Sequence, residues 1–395
     1  VPIWHLKKSL FSSKSLDNKN QQSNKNQQSN KNQQSNKTFV SKLQKNDETS
    51  ENEITIGQII MSMHNYALYF LPVVSSCPVN IASIDSILLK DCEIVQKNKD
   101  KDKDKDKDKK DAYILMEIPY VKNKSFYSIL IDMYSSKKHI IVGLIENYSY
   151  LLDAIGILLE NKLVHFDLKS ENILYDKNTH LPLILDFGVS IQIDKVTPSN
   201  MDQYFYTYSP DYYIWCLEIH VINFLLHETK GNLTEDDVKS ICRDYVKYNK
   251  GLVNFSDGFK ADYLLACENY LRKYVGMDKK KTMTILLSFY PSWDNYSLSV
   301  LYLKTFSFMF PKGFHKNSLI LYFSQMLLYN IHPDPNKRYS VEETKQRFID
   351  IFYLEEQVDN YMDLIDTFNY DVDYTTQAIQ ADLNKLNKTK AMMKR

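Results

Sequence analysis

Residues 144–188 read LIENYSYLLDAIGILLENKLVHFDLKSENILYDKNTHLPLILDFG. Leu144, Leu151, Leu152, Ile155 and Leu158 recur at helical spacing, so 144–163 reads as an amphipathic helix. The polar stretch HFDLKSEN (165–172) follows it directly, and ILYD and LPLILDFG, on either side of KNTH, read as short strands. A chain with this pattern has little freedom locally. The polar stretch becomes a loop clamped between a helix and a hairpin. The hairpin brings Asp186, 14 positions after Asn172, back to that loop.

That arrangement suits one chemistry well. Phosphoryl transfer from a magnesium nucleotide needs a base to orient a hydroxyl, metal ions on the phosphates and cations against developing charge. The pattern H-x-D-x-x-x-x-N, His165 to Asn172, offers a base and one metal ligand from a single loop. The D-F-G of Asp186, Phe187 and Gly188 offers a second oxygen donor.

HFDLKSENIL and ILDFGVS together, in this order and after an amphipathic helix, resemble the catalytic loop and metal-binding motif of eukaryotic-type protein kinases. The resemblance implies an α+β, bilobal protein-kinase-like fold with a small β-rich N-lobe and a larger, mainly helical C-lobe. It makes Asp167 the catalytic base, Lys169 the cation that reaches the γ-phosphate, Asn172 and Asp186 the Mg²⁺ ligands, and His165 a buttress near the DFG turn. The form D-L-K-x-E-N is the serine/threonine type. The implied activity is transfer of the γ-phosphoryl group of ATP to Ser or Thr hydroxyls of a protein substrate.

The same resemblance assigns the N-terminal third. Val40-Ser41-Lys42 in FVSKLQ is similar to the strand carrying the ATP-positioning lysine, so Lys42 is expected there, with Lys45 as the alternative. Its acidic partner is expected in the helix read over 51–66, at Glu53, with Glu51 as the alternative. YILMEIPYV is similar to the strand entering the hinge, making Met116 the gatekeeper and Glu117 to Tyr120 the hinge. Pro119 has no N–H to offer an adenine, so the Glu117 carbonyl is expected to make the one hinge hydrogen bond.

Several positions depart from the family pattern. The nine glycines are scattered and none precedes Lys42, so the glycine-rich phosphate loop is expected upstream of Val1. Phe166 replaces the arginine that receives an activation-loop phosphate, so phosphorylation there should not switch the enzyme on. Ser209-Pro210-Asp211 resembles the A-P-E closure, with Arg338 pairing with Asp211 or else with Glu218. The D-x-W-S-x-G of the next helix is absent in that form, and DYYIWCLE reads as a condensation of both motifs. The resemblance spans about 38–350, and residues 220–315 map to nothing. SPDYYIWCLE, SCPVNI and the Asn/Lys-rich insertions are similar to divergent kinases of large DNA viruses.

Composition bounds the alternatives. Over 395 residues, Lys plus Arg equals Asp plus Glu at 49 each, which gives no support for nucleic-acid binding through a basic surface. The five cysteines are far apart, which points to a reducing compartment, the cytoplasm, or the host cytoplasm if the chain is viral. No uninterrupted apolar run suggests a membrane span. Three NKNQQS repeats and the alternating Lys-Asp run at 99–108 cannot bury apolar surface. The expected organisation is an N-lobe over 1–118 with disordered insertions at about 15–37 and 97–110, a C-lobe over 119–355, and a helical or disordered tail over 356–395. The alternative function is a pseudokinase-type scaffold, kept open by the missing glycine loop. A small-molecule phosphotransferase of the aminoglycoside kinase type would lack Lys169 and the DFG with its closure.

Overall fold

The structure, a computed structural model, describes residues 39–81, 84, 113–128, 137–313 and 317–393. The two insertions expected at about 15–37 and 97–110 lie outside these residues.

Strand β1 (Phe39–Lys45) pairs antiparallel with β4 (Tyr113–Pro119), placing Lys42 opposite Met116. On the other side of β4 lies β3 (Ser75–Val79), giving the sheet order β1-β4-β3. Along β4 exposure alternates, with Ile114, Met116 and Ile118 buried, as a sheet with one covered face requires. Helix α1 (Glu48–Ser62) starts three residues earlier than its apolar spacing suggests. Asp47 caps it by accepting from Ser50 N, and Ser50 Oγ accepts from the Asp47 N–H in return, a reciprocal capping box. Its Ile56 and Ile60 are buried, and Gly57 lets the backbone at Val73 approach closely. A Cβ on Gly57 would lie 2.5 Å from the Val73 carbonyl oxygen.

Helix α2 (Lys137–Glu160) is the amphipathic helix. It ends before residue 163 because Lys162 takes φ 56°, which breaks the helix and turns Leu163 into strand β6 (Leu163–Val164). β6 pairs with β9 (Ile191–Gln192). The hairpin of β7 (Ile173–Asp176) and β8 (Pro182–Leu185) joins β2 (Phe70–Leu71) and β5 (Asn123–Ser125) in a sheet ordered β2-β8-β7-β5. Within α2, the segment Ile140–Glu160 is long and apolar enough to cross a membrane. Here its Ile141, Leu144, Ile145, Tyr148, Leu151, Leu152, Ile155 and Leu158 are all buried in the main core.

The rest of the chain is helical. After the short α3 (Met201–Tyr204) come α4 (Leu217–His227), α5 (Glu235–Tyr248), α6 (Asp257–Leu271) and α7 (Lys279–Leu287). These occupy most of the stretch that maps to nothing in the sequence. Next is α8 (Trp293–Met309), buried along nearly its whole length, then α9 (Ser318–Asn330) and α10 (Val341–Phe352). The C-terminal segment forms α11 (Val358–Thr367) and α12 (Val372–Met393). Leu364, Phe368, Tyr370 and Ile379 of that segment are buried against the same core.

Candidate active site

Lys42, in the middle of β1, donates to both carboxylate oxygens of Glu53 on α1, at 2.9 and 2.8 Å, and to Asp186 Oδ1 at 3.2 Å. The Glu53 side chain is 2% exposed, whereas Lys45 and Glu51, the alternatives, face solvent. Burial opposes the Lys42 charge, but Asp186 and Glu53 outweigh it and hold its pKa above that of an ordinary lysine. For Glu53 burial wins over Lys42 and raises the carboxyl. For Asp186 burial is outweighed by Lys42, with Lys169 and His165 assisting, so its pKa is lowered. Asn52, which the sequence does not mark, donates to the carbonyls of Gly188 at 3.1 Å and Ser190 at 3.0 Å, tying α1 to the segment after Asp186.

The loop at 165–172 is strained and heavily braced. Phe166 has φ 68° and Asp186 φ 67°, both in the left-handed region. Asp294, at the start of α8, accepts from His165 N at 2.6 Å and Phe166 N at 3.0 Å. Trp215 Nε1 donates to the Phe166 carbonyl at 3.0 Å. The Phe166 ring is buried beside those of Phe205, Trp215 and Trp293. An apolar cluster therefore packs around the Phe166 side chain and holds this segment. His165 Nε2 contacts the Leu185 carbonyl at 3.1 Å, and its ring lies 5.0 Å from that of Phe187. Burial raises the Asp294 carboxyl even though the charge of His165 and the two N–H donors oppose it.

Asp167 is enclosed by polar partners. Lys169 Nζ donates to both of its oxygens at 2.6 Å, and Asn172 Nδ2 donates to its Oδ2 at 3.0 Å and its backbone carbonyl at 2.9 Å. The Tyr212 hydroxyl donates to Oδ1 and accepts from Lys169 Nζ at 2.8 Å. Burial first and Asp167 second push the Tyr212 hydroxyl well above its usual value, so it stays a donor. Each Asp167 oxygen thus has two partners, which uses the lone pairs of a carboxylate. Tyr206 lies near both acids: burial, then Asp167 and Asp186, raise it to about 12.

Asn172 and Asp186, the expected Mg²⁺ ligands, offer oxygen donors of the kind a hard cation takes. The Asn172 amide nitrogen is engaged by Asp167, leaving its oxygen as the free donor type, and Asp186 is 41% exposed with one oxygen on Lys42. Among the described residues no group of three His, Cys, Asp or Glu forms a metal cage. One carboxylate and one amide oxygen, completed by phosphate and water, is the usual way such an ion is held.

Of the two partners expected for Arg338, it pairs with Glu218, through two 2.8 Å hydrogen bonds, and not with Asp211. The acid that braces the 165–172 loop is Asp294, at the start of α8 and outside DYYIWCLE, so that segment does not supply it, against the expected condensation of both motifs. Between Glu218 and Asp294 the chain inserts most of α4 to α7, which is why no short-range pattern revealed it. The Glu117 carbonyl, expected to meet an adenine, accepts from Val74 N at 2.9 Å, and a carbonyl oxygen can accept a second hydrogen bond. Met116 is fully buried.

The family description "Protein kinase domain" matches residues 103–213. Over 84 residues, 20% of this chain, the sequence is 40% identical to "Probable serine/threonine-protein kinase KIN1 homolog" of Encephalitozoon cuniculi (strain GB-M1), and the match spans 14% of that relative's length. A solved structure described as "Twitchin kinase region from C.elegans (Fn31-NL-kin-CRD-Ig26)" aligns over 78% of this chain and 40% of that one, at 13% identity and a TM-score of 0.36. The family match contains the whole of 165–188, and together with the curated relative it supports a protein kinase.

Proposed function

We propose that this chain is a serine/threonine protein kinase that transfers the γ-phosphoryl group of Mg-ATP to a protein hydroxyl. The observation that carries the reading is the convergence of two side-chain sets. Lys42, Glu53 and Asp186 form one, and Asp167, Lys169 and Asn172 the other, with Lys169 near enough to Asp186 to lower its pKa. In this reading the small lobe is 1–118, the large lobe 119–355 and the tail 356–395, and the compartment is the cytoplasm.

The residues divide the work. Glu53 fixes the Lys42 ammonium so that it meets phosphate oxygens without a search over rotamers. Asn172 and Asp186 hold Mg²⁺, which when bound supplies charge neutralisation on the phosphates. Asp167 orients the acceptor hydroxyl and takes its proton as the oxygen bonds to phosphorus and the bond to ADP breaks. Lys169 offsets charge on the transferred group. Because both Asp167 oxygens are taken by Lys169, Asn172 and Tyr212, an acceptor hydroxyl must displace one of these partners.

The test is labelled ATP with generic Ser/Thr protein substrates. Asp167→Asn should reduce transfer at least about a thousandfold while Mg-ATP still binds. Undiminished turnover in that variant would sink the assignment, and binding without turnover in the unaltered protein would favour the scaffold.

A further inference from the structure

A buried cation links the C-terminal helix to the segment that covers Asp167. Lys304, on α8, is 1% exposed. Its ammonium lies 2.5 Å from Asp382 Oδ2 on α12 and donates to Tyr213 Oη at 2.7 Å. The rings of Tyr213 and Phe308 lie 4.7 and 5.7 Å from it, and that of Tyr127 at 6.0 Å. Asp382 is the one carboxylate paired with Lys304 among the described residues. α12 is seated by other contacts too. Thr375 Oγ1 donates to the Phe308 carbonyl at 3.1 Å, and Ile379 is buried.

Tyr213 directly follows Tyr212, whose hydroxyl rests on Asp167 and Lys169. One short turn carries both tyrosines, Tyr212 in contact with the candidate base and Tyr213 with Lys304. A buried ammonium that loses its paired carboxylate must find water or another acceptor, and the nearest partner it holds is Tyr213. Movement there shifts the turn that places Tyr212.

We propose that Asp382 is a positioning residue: through Lys304 and Tyr213 it sets where Tyr212 sits against Asp167, so that α12 is a working part of the transferase and not a tail. This rests on the kinase reading above.

The experiment uses the full chain and three variants. Asp382→Asn removes the charge, Asp382→Glu keeps it, and Ile379→Ala weakens α12 packing without touching the pair. Each is followed by melting, by turnover with labelled Mg-ATP, and by amide hydrogen exchange over residues 206–216. In Asp382→Asn, turnover should fall about tenfold with the KM for ATP changed less than about twofold. Exchange over 206–216 should speed up about tenfold. Asp382→Glu should recover most of both, and Ile379→Ala should lower the melting temperature while leaving both near the unaltered protein. Unchanged exchange over 206–216 in Asp382→Asn overturns the proposal, as does an Ile379→Ala loss equal to that of Asp382→Asn. If the unaltered protein transfers no phosphate, the kinase reading fails, and the exchange comparison alone still decides whether Asp382 sets the segment.

Discussion

Removing the Glu218 carboxylate should cost far more than any surface charge change, and the structure says how much. Arg338 and Glu218 have side chains 1% and 0% exposed and meet through two 2.8 Å hydrogen bonds. Two further Arg338 donors go to the His332 carbonyl at 2.8 Å and Ser292 Oγ at 3.1 Å, neither of which carries charge. Glu218→Gln therefore leaves a guanidinium in the interior with no counter-charge and turns an amide N–H toward one of its donors. Breaking a buried pair in this way costs about 3–5 kcal/mol. Replacing both partners, Glu218→Leu with Arg338→Met, should cost much less, within about 1 kcal/mol of the unaltered protein, because no charge is left stranded. Asp211→Asn, at a partly exposed residue outside this pair, should stay within about 0.5 kcal/mol. Urea unfolding followed by fluorescence reads all three, since Trp215 and Trp293 are buried beside Phe166 in the same region. The reasoning is refuted if Glu218→Gln costs less than about 1 kcal/mol, or if Asp211→Asn costs as much as Glu218→Gln.

Other expectations follow from single contacts. Burial lowers the His220 pKa to about 4, so its stabilising contribution is complete above its unfolded value of about 6.5 and is lost as pH falls through 4. That gap is worth on the order of 3 kcal/mol, and His220→Phe should flatten the loss of stability between those pH values; an unaltered acid slope contradicts it. Asp294→Ala strands the N–H groups of His165 and Phe166, at about 1–3 kcal/mol each, and should also lower turnover. A urea midpoint like that of the unaltered protein would rule out that bracing role. Gly57→Ala forces a Cβ against the Val73 carbonyl and should destabilise by about 1–3 kcal/mol in a melting experiment, with no change if the helix can simply shift.

What the sequence determined by itself was local. Asp167, Lys169 and Asn172 lie within six positions on one loop, and the hairpin length fixes where Asp186 returns, so spacing alone brings them to one place. Lys42 and Glu53 are 11 positions apart, a strand and the start of a helix, and here the sequence left alternatives that only folding distinguishes by burial. Apolar periodicity located α2 but not its C-terminal end, because a single left-handed residue, Lys162, stops the helix where the pattern would continue it. Tertiary structure decided the rest. Asp294 meets His165 across 129 positions, Glu218 meets Arg338 across 120, and Tyr212 reaches Asp167 from 45 away. Nothing near an acid in sequence says which distant N–H or guanidinium it will meet. That choice belongs to the packing of α8 and of the inserted helices, where a buried charge is tolerated only beside the partner the fold provides.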